Sequence, residues 1–213
     1  MNTISLDANG LGKDFNRRSI FRDISFSLKI GDSLAITGKN GAGKSTLIKI
    51  LAGLLQPSKG SVQYYLNYIP IGIEKFKHNI GFVSPYLNLY EEFTAIENLY
   101  LLTRIRTASD TGQEKLKEVL SAVSLWHRRD DIVGTFSSGM KQRLKYAFAL
   151  LHNPLVLILD EPTSNLDSEG FEFVQHLVQT NKETHIIIIA TNDRSEVRWC
   201  GEVKNLGNEN EHS

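Results

Sequence analysis

Three short apolar runs each end in a polar turn, and together they constrain the fold more than any other feature. The runs are Ser33–Thr37, residues 155–159 and Ile186–Ala190. Their apolar character is continuous rather than alternating, which is typical of strands buried on both faces of a parallel sheet. In such sheets, ligands bind at the carboxyl ends of the strands. The pattern therefore predicts an α/β fold with its functional residues in the turns after these runs.

Other segments predict an antiparallel part and a helical part. Apolar residues alternate with polar ones over residues 24–30, as in a half-buried antiparallel strand, and residues 62–65 and 80–83 are further strand candidates. Between residues 94 and 149 the pattern becomes helical, and residues 94–97 have the spacing of a capping box.

The domain organisation follows from these parts. We find no internal repeat, low-complexity segment or flexible linker in the sequence. We therefore expect one folding unit over residues 1–207, in which residues 86–150 approximately form a helical subdomain. Residues 208–213 are polar and lie at the end of the chain, and we expect them to be disordered.

Composition excludes several classes of protein. Lys and Arg (24) balance Asp and Glu (24), which argues against bulk attraction to nucleic acid or anionic lipid. The apolar runs are far shorter than the ~20 residues needed to cross a bilayer. The first residues lack the basic and apolar segments of an export signal. Cys200 is the only cysteine, which fits a reducing compartment. We expect a cytoplasmic protein.

Residues 38–45 read Gly-Lys-Asn-Gly-Ala-Gly-Lys-Ser, which matches the P-loop pattern. They follow a predicted strand and open a predicted helix over residues 44–55, the context that phosphate binding requires. The glycines let backbone N–H groups turn toward phosphates, Lys44 reaches the β- and γ-phosphates, and the Ser45 hydroxyl ligates Mg²⁺. The alternative is a glycine turn before an ordinary helix. The candidate nucleotide-binding residues here are Gly38, Lys39, Asn40, Gly41, Ala42, Gly43, Lys44, Ser45 and Thr46.

Two acids, Asp160 and Glu161, follow the apolar run at residues 155–159. The carboxylate of Asp160 would emerge at a strand end within reach of the magnesium ion, as its second protein ligand. Glu161 would lie beyond the metal and polarise the water that attacks the γ-phosphate. The alternative for Glu161 is a surface acid that begins a turn before Pro162.

Residues 136–143 read Phe-Ser-Ser-Gly-Met-Lys-Gln-Arg, a small turn that opens a basic helix. Such a turn offers backbone N–H groups and a hydroxyl to an anion, and the helix dipole adds its positive end. It predicts a second phosphate site far from the P-loop in sequence. Two such sites in one domain make sense if a second copy of the chain supplies the partner.

With these three motifs in this order, residues 11–206 resemble the nucleotide-binding domain of ATP-binding-cassette (ABC) proteins. The resemblance implies a P-loop NTPase fold with a mainly parallel sheet core, an antiparallel β part and a helical subdomain that carries the signature motif. Residues 136–140, here named the signature turn, stand where the family usually has Leu-Ser-Gly-Gly-Gln, and Ser137 and Gly139 are the residues that meet phosphate. Residues 164–167 resemble the D-loop, which crosses the dimer interface. The resemblance also implies a head-to-tail dimer with ATP and Mg²⁺ between the copies.

The resemblance assigns three further positions. Phe15 stands where an aromatic ring stacks on adenine, the alternative being a core aromatic. Pro85 stands where the family usually has a glutamine that touches magnesium and the attacking water. Asn192 stands where it usually has a histidine that contacts the γ-phosphate. An amide donates a hydrogen bond but carries no charge, and proline offers no ligand. These departures predict slow basal ATP hydrolysis, unless asparagine works adequately in this branch of the family.

Residues 86–93, from Tyr86 to Phe93, hold three aromatics and two leucines, and in transporters of the family this surface receives a membrane subunit. The alternative is a packed hinge of the helical subdomain. The resemblance thus implies the ATPase subunit of a transporter, at the inner face of the membrane when bound to a separate membrane subunit. Two alternatives stay open. One is a non-transport ABC ATPase in cofactor assembly or translation, and the other is a nucleotide switch with negligible turnover.

Overall fold

The computed structural model describes residues 3–107, 112–164 and 166–207. The predicted tail at 208–213 and residue 165 of the predicted D-loop lie outside these ranges. The strands are β1 Ile4–Phe15, β2 Arg18–Lys29, β3 Ser33–Thr37, β4 Lys59–Leu66, β5 Ile69–Ile71, β6 Ile80–Val83, β7 Val156–Asp160, β8 Ile186–Ala190 and β9 Glu202–Asn205. The α-helices are α1 Lys44–Leu51, α2 Ile73–Phe76, α3 Ala95–Thr107, α4 Gln113–Ala122, α5 Ser138–Leu150, α6 Ser168–Asn181 and α7 Arg194–Val197.

The central sheet is parallel and has the order β6-β7-β8-β3-β9. All residues of β7 and β8 are buried, as their continuous apolar runs predict. The run at residues 155–159 appears one residue later, because the strand ends at Asp160 itself. The carboxyl ends of β7, β8 and β3 therefore lie side by side. Asp160 is the last residue of β7, while Asn192 and the P-loop follow β8 and β3. The parallel-sheet prediction is confirmed.

A second sheet is antiparallel, with the order β2-β1-β4-β5. Its buried side chains pack with those of β3 and α1 in one hydrophobic cluster, which includes Leu6, Ile24, Ile36 and Leu47. The alternation over residues 24–30 correctly predicted β2. The cluster fixes the antiparallel sheet beside the P-loop helix α1.

Helix α1 is shorter than the sequence predicts. The prediction extended it over residues 44–55, but it ends at Leu51. Gly53 adopts a left-handed conformation with φ of 71°, and the Leu54 N–H donates to the Lys49 carbonyl at 2.8 Å. Glycine adopts this conformation without strain and commonly ends helices. Gly53 therefore ends the helix earlier than the predicted residue 55.

Helices α3, α4 and α5 fall within residues 86–150 and share a second hydrophobic cluster with β7 and β8. The predicted capping box is confirmed at the start of α3. The Thr94 N–H donates to Glu97 Oε2 at 2.8 Å, and the Glu97 N–H donates to Thr94 Oγ1 at 3.3 Å. Within the described residues, no helix is both long and apolar enough to span a membrane.

Candidate functional site

The P-loop is a glycine turn between β3 and α1. Gly38, Gly41 and Gly43 have φ of 145°, 83° and 97°, conformations that other residues rarely adopt. A Cβ on Gly43 would lie 2.5 Å from Ile20 Cγ2, so space as well as conformation requires glycine. In the part of the chain that the structure describes, no side chain caps α1. Its first N–H groups are therefore available to an anion.

Lys44 and Ser45 begin α1 and make the two side-chain contacts that organise the site. The Lys44 ammonium donates to the Gly38 carbonyl at 2.9 Å, and the residue is 6% exposed. The Ser45 hydroxyl donates to Asp160 Oδ1 at 3.1 Å, which joins residues 115 positions apart. The structure thus brings the P-loop and the first acid of the pair together.

Asp160 fits a role as ligand of a hard cation. It is 1% exposed, and its Oδ2 atom is buried without a hydrogen-bond partner among the described residues. Burial raises the pKa of this carboxyl, while the Ser45 hydrogen bond and nearby Lys49 and Lys44 oppose the shift. A hydroxyl beside a carboxylate with an unused oxygen matches the oxygen ligands that Mg²⁺ prefers. Residues 3–107, 112–164 and 166–207 hold no cluster of three or more His, Cys, Asp or Glu side chains suited to a metal ion.

Glu161 lines a cleft of about 230 Å³, here named the Glu161 cleft. Its backbone is left-handed, with φ of 46°, and its N–H donates to the Ala190 carbonyl at 2.8 Å. A non-glycine residue in this conformation carries strain, which is common at functional sites. The turn of the chain exposes the Glu161 side chain, although Asp160 beside it is buried. The other residues that line the cleft are Pro85, Ser138, Lys141, Gln142, Lys145, Ser164 and Leu166.

Asn192 follows β8 and contacts the P-loop directly. Its Nδ2 atom donates to Asn40 Oδ1 at 2.8 Å. The structure therefore brings Asn192 to the rim of the phosphate loop, where the sequence predicted a γ-phosphate contact. Pro85, exposed at the end of β6, lines the Glu161 cleft and offers it only a ring and a carbonyl.

The signature turn opens α5 on the helical side of the molecule. Ser137 is the N-cap of α5, and its Oγ accepts from the Met140 N–H at 3.2 Å. A Cβ on Gly139 would lie 4.0 Å from Asp167 Oδ1, at the start of α6. Further along α5, Arg143 pairs with Glu169 of α6. The signature turn thus lies beside Asp167 of the predicted D-loop, and Ser137 is exposed to solvent.

Phe15 ends β1 and is 45% exposed, so it is not a core aromatic. The Lys13 ammonium lies 4.9 Å from its ring centroid, and that ammonium donates to the Gln56 carbonyl at 2.8 Å. The exposed ring offers a flat surface for a base.

The segment from Tyr86 to Phe93 exposes its aromatics on an ordered backbone. Tyr86, Tyr90 and Phe93 are 75%, 43% and 41% exposed. The buried Asn98 side chain accepts from the Tyr90 N–H and donates to the Tyr90 carbonyl, both at 2.8 Å. Beside this segment lies an apolar groove of about 410 Å³, to which Leu87 contributes. The other lining residues are Ala52, Leu54, Lys77, His78, Ile80, Phe82 and Phe148.

Sequence reasoning missed two residues near the site, Lys145 and Glu196. The Lys145 ammonium donates to the Pro85 carbonyl at 3.1 Å, and burial lowers its pKa. Glu196 is 2% exposed, accepts from the Thr163 N–H at 3.1 Å, and its pKa is raised mainly by burial. Neither residue belongs to a motif in the sequence. Only the packing of α5 and α7 against the strand ends places them.

These features define the nucleotide-binding domain of an ABC ATPase, and the chain belongs to that family. The family described as ABC transporter matches residues 21–164. Linearmycin resistance ATP-binding protein LnrL of Bacillus subtilis (strain 168) is 35% identical over 192 residues, which cover 90% of this chain and 62% of LnrL. Bacitracin transport ATP-binding protein BcrA of Bacillus licheniformis is 35% identical over 199 residues, 92% of this chain and 64% of BcrA. The chain spans about three fifths of the length of these relatives.

A solved structure of related fold is a dimer. It is an ATP-binding cassette in a post-hydrolysis state with ADP and Pi bound, and it matches with a TM-score of 0.81 and 25% sequence identity. The match covers 95% of this chain and 94% of that chain. The predicted P-loop NTPase fold class is confirmed.

Proposed function

We propose that this chain is the ATP-hydrolysing subunit of an ABC transporter and powers a separate membrane subunit through ATP-driven closure of a head-to-tail dimer. The observation that carries this proposal is the Ser45–Asp160 hydrogen bond, with the exposed Glu161 directly after it. This hydrogen bond places the P-loop, the proposed Mg²⁺ ligands and the acid that would orient water next to one another. The two relatives described above are named as ATP-binding proteins, one of linearmycin resistance and one of bacitracin transport.

The residues divide the work of hydrolysis. Backbone N–H groups of the P-loop and the Lys44 ammonium bind the β- and γ-phosphates, and the exposed ring of Phe15 stacks on the base. Ser45 and Asp160 would hold Mg²⁺, which would neutralise charge on the phosphates when bound. Glu161 accepts a hydrogen bond from the attacking water and orients it, and Asn192 donates its amide to a phosphate oxygen.

Phosphate release measured on the isolated protein and on Glu161→Gln tests the hydrolysis. We expect the variant to bind ATP as the parent does and to hydrolyse it on the order of a hundredfold more slowly. Glu172→Gln, an exposed acid on α6, is the matched control and should match the parent. Equal rates for the parent and Glu161→Gln, with ATP bound by both, would instead favour the nucleotide switch. That alternative is based on Pro85 and Asn192, which replace the usual glutamine and histidine.

We further propose that basal turnover is slow because neither Pro85 nor Asn192 supplies the usual side chain. Loss of one positioned transition-state donor typically costs about 3 kcal/mol, or on the order of a hundredfold in rate. Asn192→His should therefore hydrolyse ATP faster than the parent. A histidine variant no faster than the parent, or fast hydrolysis by the parent alone, would refute the explanation.

Closure of the dimer follows from the position of the signature turn. Ser137 and Gly139 open α5 on an exposed surface, and ATP supplies the γ-phosphate that both copies would contact. With Glu161→Gln to prevent hydrolysis, ATP and Mg²⁺ should convert a monomer into a dimer in light scattering, and ADP should not. Dimer formation that is equal with ATP and ADP would contradict this part of the proposal.

The membrane subunit would bind the exposed aromatics of residues 86–93 and the apolar groove beside them. Tyr90→Ala should reduce co-purification with a membrane subunit encoded beside this chain, with ATP binding unchanged. Tyr68→Ala is the control, because Tyr68 is 83% exposed on the turn between β4 and β5. Equal recovery with both variants would argue against this surface. The proposal places the protein at the inner face of the membrane.

A further inference from the structure

The turn after β6, residues 84–87, is held by lysines from two different helices. Its own hydrogen bonds are local, because the Leu87 N–H donates to the Ser84 carbonyl at 3.1 Å and the Tyr86 N–H donates to Ser84 Oγ at 3.3 Å. Pro85 has no N–H to add. The Pro85 carbonyl accepts from the Lys145 ammonium at 3.1 Å. We name residues 84–87 the Pro85 turn.

Lys145 connects the Pro85 turn to the helix of the signature turn. It lies on α5, which begins at the Ser137 cap, and it lines the Glu161 cleft. The same helix contacts the chain just after Glu161, because Gln142 Nε2 and Tyr146 Oη donate to the Pro162 carbonyl at 3.4 and 3.2 Å. One face of α5 therefore holds backbone carbonyls that follow both β6 and β7.

The second lysine connects the Pro85 turn to the helix of the P-loop. Lys49 lies on α1, and its ammonium is 5.6 Å from the ring centroid of Tyr86. Tyr86 is also the first residue of the exposed aromatic segment. The Pro85 turn thus contacts both phosphate-binding helices and continues directly into the surface proposed for a membrane subunit.

We propose that Lys145 is a positioning residue that couples the Pro85 turn to hydrolysis at Glu161, an inference that rests on the proposed ATPase function. Pro85 offers no side chain to the cleft, so the link is built from its carbonyl and a cationic donor on α5. A hydrogen bond with a charged donor is about twice as strong as a neutral one. With this bond in place, α5 and the Pro85 turn move together, and the Glu161 cleft keeps its shape. Without it, the turn moves independently of Glu161.

The test separates binding from turnover in three variants. Lys145→Met keeps the length of the side chain and removes the donor, and kcat should fall by about tenfold while ATP affinity and melting temperature stay unchanged. Lys145→Arg retains a cationic donor and should recover most of the rate. Lys117→Met is the control, because it removes an exposed lysine of α4 that lies 5.8 Å from the Trp126 ring centroid. It should match the parent.

A second background tests the link to the Pro85 turn. Pro85→Gln keeps the backbone carbonyl and adds a side chain that can itself link the turn to the cleft. In this background, the loss of rate caused by Lys145→Met should therefore be smaller than in the parent. A loss of the same size in both backgrounds would refute coupling through this turn. If the parent is active and Lys145→Met is equally fast, the role of Lys145 alone is overturned. If the parent is no faster than Glu161→Gln, the proposed function is overturned and this inference with it.

Discussion

The two helix N-termini that we propose to bind phosphate, those of α1 and α5, are built in opposite ways. Helix α1 begins after Gly43 in a left-handed conformation, without a side-chain cap among the described residues, and with Lys44 buried. Helix α5 begins after Ser137 with an ordinary φ of −63°, and the serine hydroxyl caps it. The P-loop N-terminus lies beside the sheet, whereas Ser137 is exposed.

On the proposed function, this difference explains how a single chain would hold one complete phosphate site and half of another. The P-loop must wrap a phosphate from several sides, which requires glycine conformations, close packing and a lysine held in place. In the proposed dimer, the signature turn needs only one face toward a phosphate that a second copy presents. An ordinary N-cap on an exposed helix suffices for that. The P-loop therefore depends on the fold around it more than the signature turn does.

The largest expected effect comes from a methyl group placed in each turn. Gly43→Ala combines φ of 97° with contacts of 2.5 Å to Ile20 and 2.9 Å to Phe21, and we expect a loss of about 3 kcal/mol in unfolding free energy. Gly139→Ala meets atoms only at 4.0 Å and should change stability by less than about 0.5 kcal/mol. Urea unfolding of both variants measures the comparison. Equal losses of unfolding free energy in the two variants would contradict the claim that the P-loop depends more on the surrounding fold.

Removal of the signature cap should have a smaller effect on stability. Ser137→Ala loses the acceptor for the Met140 N–H, which typically costs about 1 kcal/mol. ATP binding to the monomer should be unchanged, while ATP-driven dimer formation of Glu161→Gln should weaken. Ser138→Ala, the next residue, retains the cap and serves as the control. If Ser137→Ala weakens ATP binding to the monomer, the signature turn is not half of a site between two copies.

The pH dependence of stability distinguishes two aspartates near the P-loop. Burial raises the pKa of Asp160, so its ionisation opposes folding above the ordinary pKa of aspartate. Asp160→Asn should therefore be more stable than the parent at neutral pH without nucleotide or Mg²⁺. The gain should disappear as the pH falls below the ordinary aspartate pKa, where both states are protonated. Thermal unfolding from pH 8 to pH 3 measures it.

Asp193→Asn is the matched control for this prediction and should have the opposite sign. Hydrogen bonds from Ser195 lower the pKa of Asp193, so ionised Asp193 stabilises the fold. The variant should lose a little stability at neutral pH, and this loss should vanish as the pH falls through the lowered pKa. The same sign for both variants would show that burial does not decide the behaviour of Asp160.

The smallest expected effect concerns the stacking of Phe15 on the adenine base of ATP. Phe15→Ala should weaken ATP binding by about fivefold, because stacking on an exposed ring contributes about 1 kcal/mol. Stability should be unchanged, since the ring is 45% exposed. Phe15→Tyr keeps the flat face and should restore the affinity. Titration calorimetry measures all three proteins, and an unchanged affinity in Phe15→Ala would remove Phe15 from the site.

Much of the fold was predictable because the strongest signals are local. The continuous apolar runs gave β3 and β8 with their bounds, and residues 80–83 gave β6. The first strand, β1, was missed, although it is an inner strand of the antiparallel sheet. Its sequence includes glycine and charged residues, and it pairs with β2 in a hairpin and with the distant strand β4. The predicted end of α1 was too late, because Gly53 in its left-handed conformation ends the helix.

The sequence by itself determined the parts of this protein whose chemistry lies in consecutive residues: the P-loop, the acid pair, the signature turn and their order. Such motifs are encoded in local spacing, and the family follows from them. Only the tertiary structure decided which residues lie across the site from them, such as Asn192 at Asn40 and Lys145 at the carbonyl of Pro85. These pairs join residues 152 and 60 positions apart. Their contacts arise from the packing of helices on strand ends, which no local spacing specifies.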